Sequence, residues 1–254
     1  MSKKKNKEKK QIKFGLVGKN ISYSFSKNYF NEKFQTLHFD NCEYVNFDIE
    51  SIKNFPNIIL ETKGLKGLNV TIPYKEDVIP YLDKLSKNAK KIGAVNTIVV
   101  SKKKKLKGYN TDHYGFKKTL KPLLADHHKK ALILGTGGVS KAIAFALRRL
   151  KIEFDFVSRN PTEFELSYEE LTHEVFEEYQ IIINTTPLGT HPNIEEAPNL
   201  DYSLFTDKHI AYDLVYNPEE TTFLKQAKAN GATIKNGYEM LLFQAEKAWN
   251  VWNR

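Results

Sequence analysis

Cysteine is almost missing from this sequence: Cys42 stands alone among 254 residues. That excludes an internal disulfide and fits a reducing compartment. No apolar run approaches the roughly 18 residues of a membrane span. The N-terminus has neither the apolar core of a secretory signal nor the arginine and serine of a transit peptide, so a cytoplasmic location is expected. The seven histidines never occur as an H-x-x-x-H pair, and no metal site is expected.

What is present belongs to a globular protein. Hydrophobic residues make up 41% and charged residues 27% of the chain, enough for one large domain or two modest ones. The net charge of +9 invites a nucleic-acid reading, but the opening MSKKKNKEKK alone contributes +5 of it. Such a run is expected to be a disordered, solubilising tail over residues 1–11. A second run, Lys102 to Lys105, reads as a hairpin tip between two strand-like segments. Neither run is interleaved with the aromatics of a single-strand binding surface. No nucleic-acid partner is expected.

The patterning is α/β throughout. Strand-like segments at 12–18, 42–49, 68–72, 94–100 and 106–110 are separated by helical spacing at 24–37, 51–64 and 78–88. From residue 114 the alternation is more regular. A bridging helix at 114–124 and a buried strand at 129–135 precede a helix whose Val139, Ala142, Ile143, Ala146, Leu147 and Leu150 form one apolar face. Strands at 153–158, 181–187, 209–216 and 232–237 follow, each divided from the next by a helical stretch. That order predicts a doubly wound parallel sheet. The last helix, 238–253, puts Gln244 on the same side as Leu241, Ala245, Ala248, Trp249 and Trp252.

The turn LILGTGG supplies Gly135, Gly137 and Gly138 between a buried strand and an amphipathic helix. Glycines there permit a tight turn and let backbone N–H groups approach a pyrophosphate at the helix N-terminus. The sixth position of the usual G-x-G-x-x-G is Ser140, a small residue that keeps close helix–sheet packing possible. An NAD site wants an acid at the end of the next strand. Here that strand runs into Ser158-Arg159-Asn160, with no acid after Asp155, which lies within it. Arg159 suits a 2′-phosphate instead, which favours NADP.

Four polar clusters complete the pattern: Ser24-Phe25-Ser26, Asn69-Val70-Thr71-Ile72-Pro73-Tyr74-Lys75, Gly93-Ala94-Val95-Asn96-Thr97 and Gly108-Tyr109-Asn110-Thr111-Asp112. Each has a plain structural reading. Ser24 and Asp112 can be helix N-caps, Lys75 a solvated turn lysine, Arg159 a surface loop residue, and Gln244 an amide satisfied by nearby backbone. From the residues alone, those readings stay open beside a site role.

Taken in order, GKNISYSFS, NVTIPYKE, GAVNT, GYNTD, LGTGG, SRN, NTTPLGT, DLVYNP and NGYEMLLFQA resemble the shikimate dehydrogenase family over nearly the whole chain after the tail. The resemblance implies two domains separated by a cleft. An N-terminal α/β substrate domain would take 12–111 plus 238–254, and a Rossmann-like NADP-binding domain 112–237. It implies NADPH-dependent, reversible reduction of 3-dehydroshikimate to shikimate on the route to aromatic amino acids. Lys75 and Asp112 match the catalytic pair, and Ser24 and Ser26 the grip on the substrate carboxylate. Thr71, Asn96, Gln244 and Tyr216 match further substrate contacts. Gly135, Thr136, Gly137, Gly138, Ser158, Arg159, Asn160, Leu214 and Gly237 match cofactor positions. The expected partner is a small molecule, with no nucleic acid and no membrane, and the expected state a monomer or homodimer.

The chain departs from the family pattern at His113, where glycine is usual, and at Ser158-Arg159-Asn160, where N-R-T is common. The basic residue often found shortly after is absent; Phe164 and Glu165 lie there. Two other readings compete: a quinate/shikimate dehydrogenase of broader specificity, and a catalytically silent nucleotide-binding Rossmann protein. The S-x-S pattern at Ser24 and Ser26 speaks against the first, and intact Lys75 and Asp112 against the second.

Overall fold

The computed structural model describes residues 10–22 and 24–254. Residues 1–9 of the expected tail lie outside the described residues. The chain divides into two compact units, residues up to Asn110 with Ala248–Arg254, and Thr111–Lys247.

In the first unit, β1 (Ile12–Gly18), α1 (Phe25–Thr36), β2 (Cys42–Asp48), α2 (Phe55–Glu61), β3 (Leu65–Val70), β4 (Lys84–Leu85), α3 (Lys87–Ile92), β5 (Thr97–Val100) and β6 (Leu106–Tyr109) follow one another. The sheet order is β2-β1-β3-β5-β6-β4. β1 runs parallel to β2 and β3, while β3/β5 and β5/β6 are antiparallel. One face of this sheet is sealed by Trp252. Its indole packs where a Cβ on Gly67 would stand and donates from Nε1 to the Ile98 carbonyl at 3.0 Å. Phe14, Phe30 and Tyr44 surround it, so the chain's last turns complete a core begun by its first strand.

The helix expected at 78–88 does not form. Pro80 lacks the N–H a helix interior needs, and only a 3-10 turn forms at Ile79–Tyr81. Lys84 and Leu85 then pair with β6. Ser86 accepts a hydrogen bond from the Ala89 N–H at 3.2 Å and caps the shorter α3. β3 also stops at Val70, before the expected 72, and the strands at 97–100, 181–184, 210–213 and 233–235 are shorter than their alternating patterns. Past the end of β10, Thr185 Oγ1 donates to the Leu134 carbonyl at 2.7 Å and the Thr186 N–H donates to Asn184 Oδ1 at 3.0 Å.

The second unit holds α4 (Asp112–Leu120), β7 (Lys130–Leu134), α5 (Gly138–Leu150), β8 (Glu153–Val157), β9 (Glu165–Leu166), α6 (His173–Glu178), β10 (Ile181–Asn184), β11 (Ile210–Asp213), α7 (Thr222–Ala229), β12 (Thr233–Lys235) and α8 (Tyr238–Trp252), whose last residues group with the first unit. Its sheet is parallel throughout, in the order β12-β11-β10-β7-β8-β9. Counted from β7 this is 3-2-1-4-5-6, the Rossmann order, in which ligands bind beyond the carboxyl ends of the strands where the order reverses. The central strands read Ala131-Leu132-Ile133-Leu134 and Ile181-Ile182-Ile183, all fully buried, as a sheet covered on both faces requires. No helix among the described residues is long and apolar enough to cross a membrane.

Candidate active site

In the first unit the polar residues collect where the end of β3 meets the start of β5, and on β2 and the start of α1. Ser24 caps α1, accepting from the Lys27 N–H at 3.4 Å. The Ser26 hydroxyl bonds that of Tyr44. From there a buried polar chain runs inward. Tyr44 donates to Asn69 Oδ1 at 2.8 Å, and Asn69 Nδ2 donates to the Asn96 carbonyl at 3.1 Å and to Thr97 Oγ1 at 3.3 Å. Thr97 Oγ1 in turn donates to Asn96 Oδ1 at 2.9 Å. Asn69 faces Thr97 across the antiparallel β3/β5 pair, so the sheet register brings these side chains together. The chain thus connects Ser26 with Asn96, two residues singled out in the sequence. Tyr44, Asn69 and Thr97, which join them, were missed as individuals; an aromatic hydroxyl, and an amide flanked by apolar residues, within strand-like segments were the available signal.

Lys75 follows β3 in a turn pinned at both sides. The Lys75 carbonyl accepts from the Val95 N–H at 2.7 Å, and the buried Tyr74 donates its hydroxyl to the Ile49 carbonyl at 2.7 Å. Thr71 donates its N–H to the Val17 carbonyl and accepts from the Tyr74 N–H with its own carbonyl, both at 2.9 Å. Lys75 is therefore half-buried on a rigid base, unlike a lysine on a loose turn.

The second unit carries the other groups. Thr111 occupies the N-cap of α4, which puts Asp112 in the first helical turn, 5% exposed. Thr111 Oγ1 lies 3.4 Å from Gln244 Oε1, and Gln244 Nε2 donates to the Leu241 carbonyl at 3.0 Å. The bland reading of Gln244 is thus met on one side of its amide, while the other meets the N-cap of α4. The side chain of His113, beside Asp112, packs edge-on against Phe145 with ring centroids 5.1 Å apart. Burial pushes its pKa down to about 4; Asp112 opposes that, and Lys247, Arg149 and Lys117 reinforce it.

Each cofactor candidate lies just past the end of a parallel strand. Gly135, with φ +99°, turns the chain after β7, and Thr185 Oγ1 donates to the Leu134 carbonyl at 2.7 Å. Gly137 is the N-cap of α5; no side chain caps this helix, and a Cβ placed on Gly137 would meet no atom within 4 Å. Thr136 and Gly137 are exposed and Gly138 half-buried. Ser158 Oγ accepts from the Asn160 N–H at 3.3 Å, beside the exposed Arg159. Asp155 accepts from the Tyr179 hydroxyl, so this acid is engaged elsewhere. After β11, the Leu214 N–H donates to the Asn184 carbonyl at 3.0 Å, and Tyr216 is 36% exposed. Gly237 donates to the Val215 carbonyl at 3.0 Å, and a Cβ there would collide with the Leu214 carbonyl.

A second buried network holds these loops. Asn184 Nδ2 and the Val215 N–H donate to Asp213 Oδ1, both at 3.0 Å, and Thr221 Oγ1 donates to Oδ2 at 2.6 Å. Burial nonetheless pushes the Asp213 pKa up to about 6. Among the described residues no cluster could hold a metal ion.

Residues 16–98 match the family described as Shikimate dehydrogenase substrate binding domain. Over 94% of its length the chain is 43% identical to the shikimate dehydrogenase (NADP(+)) of Caldanaerobacter subterraneus subsp. tengcongensis, covering 90% of that protein. The chain belongs to the shikimate dehydrogenase family. Shikimate dehydrogenase of Aquifex aeolicus superposes with a TM-score of 0.84 at 34% identity, over 96% of this chain and 92% of that one. The Thermus thermophilus enzyme, solved with NADP(H) and shikimate, gives 0.83 at 31% identity, over 95% and 93%. Against these shikimate dehydrogenases, the chain keeps the two-domain α/β fold anticipated from its motifs.

Proposed function

We propose that this chain is an NADP-dependent shikimate dehydrogenase of the cytoplasm, a monomer or homodimer that interconverts shikimate and 3-dehydroshikimate. The observation that carries this is the 43% identity, sustained over 94% of the chain, with a protein named for that activity. When bound, NADP(H) would supply the hydride chemistry at the carbon bearing the reacting oxygen. Lys75 gives a proton to that oxygen during reduction and takes it back during oxidation, its ammonium stabilising the charge that develops there. Asp112, a carboxylate in the first turn of α4, is the second member of the catalytic pair. Ser24 and Ser26 hold the substrate carboxylate, Thr71, Asn96 and Gln244 hold the ring hydroxyls, and Tyr216 makes a further substrate contact.

The residues of the second unit suit a phosphorylated dinucleotide. The open space over Gly137 and the uncapped start of α5 leave room for a pyrophosphate against backbone N–H groups. Ser158, Arg159 and Asn160 would meet the 2′-phosphate, with Arg159 supplying the charge. Gly135, Thr136, Gly138, Leu214 and Gly237 shape the seat.

The deciding experiment measures nicotinamide reduction with shikimate and with quinate, each against NADP and NAD. Turnover of shikimate with NADP, well above the other three combinations, is expected. Turnover of none of the four would overturn the reading; equal use of quinate would replace it with the broader enzyme.

A further inference from the structure

We infer that Phe164 is a stacking platform for the adenine ring of the dinucleotide, a contact that rests on the cofactor reading above and extends it to a new residue. Phe164 is 79% exposed, the highest value for a large hydrophobic side chain among the described residues. Single exposed apolar side chains are ordinary on protein surfaces; its place in the fold distinguishes this one. The segment 158–164 leaves the carboxyl end of β8 and returns as β9. In a sheet of this order the adenosine ribose is met at the end of that second strand, about 20 residues past the glycines. Ser158 and Arg159 stand at that point. Adenine is bonded to the same ribose, so it falls within reach of the same loop.

The loop is built, not slack. The Ser158 N–H donates to the Leu166 carbonyl at 2.9 Å, closing its base where Val157 and Leu166 pair. At its far side the Glu165 N–H donates to the Thr162 carbonyl at 3.1 Å, and the Thr162 N–H donates to Glu165 Oε2 at 3.0 Å. These bonds close a turn with Phe164 inside it and fold the Glu165 carboxylate back on the loop's own backbone. Arg159 stands on the same loop, near enough to Tyr168 for its charge to act on the phenol. A turn fixed this firmly, yet ending in an unburied ring, gains nothing from that ring in the free protein. A purine laid on its face would bury both surfaces, and stacking of a base on an aromatic ring is worth about 5- to 100-fold in affinity. Arg159 and Phe164 would then read the two ends of one group, phosphate by charge and base by its flat face.

The test is calorimetric titration of the full chain and its variants with adenosine 2′,5′-bisphosphate, which carries base and phosphate but no nicotinamide. Phe164→Trp should bind within about twofold of the parent, whereas Phe164→Ala and Phe164→Leu should weaken by about 5-fold or more. Parent-like affinity in Phe164→Ala would overturn the proposal, and parent-like affinity in Phe164→Leu would show that no aromatic face is needed. If the parent binds neither this nucleotide nor NADP, the cofactor reading itself falls, and this one with it. Parent binding with unaffected variants refutes Phe164 alone.

Discussion

Replacing Tyr44 with phenylalanine removes one oxygen and leaves the ring. The ring stays stacked on Phe30, with centroids 4.8 Å apart and planes 13° apart, so packing is largely retained. What goes is the donor to Asn69 Oδ1 and the partner of the Ser26 hydroxyl. Asn69 is 5% exposed, so water has little access to replace the donor. A buried acceptor left without its donor costs about 1–3 kcal/mol. Taking about 2 kcal/mol, a protein of this size should melt roughly 4–8 °C lower. The loss should also reach function, because Asn69 holds the Asn96 carbonyl and Thr97, which in turn holds the Asn96 amide. A slackened Asn96 should raise the KM for shikimate several-fold while the KM for NADP stays put. Scanning calorimetry and initial rates at varied shikimate check both. A variant that keeps the parent's melting temperature and shikimate KM would refute the idea that this polar chain positions Asn96.

Four further outcomes are expected. Lys75→Ala should lower turnover at least about 100-fold with little change in NADP affinity, as measured by steady-state rates and nucleotide titration. Gly237→Ala should cost about 1–3 kcal/mol, read by denaturant melts, because its methyl collides with a backbone carbonyl that cannot swing aside. Protonating His113 must overcome a pKa held at about 4 against the usual 6.5, so its contribution, at most about 3 kcal/mol, is present above pH 6.5 and lost as pH falls toward 4. Phe at position 113 keeps a ring against Phe145 and should flatten that limb of a stability–pH curve. Asp213 acts with the opposite sign: its pKa rises from 3.8 to about 6, so stability falls as pH climbs through that window, by about 3 kcal/mol. Asp213→Asn should therefore gain relative stability above pH 6 and unmask the acid loss due to His113, both visible in melts across pH.

The pattern of apolar residues was enough to specify the longer strands, the amphipathic face of α5 and the strand–glycine–helix turn, because these depend on local periodicity and backbone freedom; the two-residue β4 and β9 were not specified by it. The motif order was enough to indicate the family and to single out Lys75 and Asp112. Tertiary pairing decided the rest. Residues 78–88 look helical in isolation, but Pro80 breaks the run and β6 offers Lys84 and Leu85 a ladder to join. Tyr44, Asn69 and Thr97 are distant in sequence, and only the register of β3 against β5, with β2 held on β1, makes them one hydrogen-bonded chain. The protonation of Asp213 and His113 also escaped the sequence, because it depends on how much water the surrounding fold removes from each group.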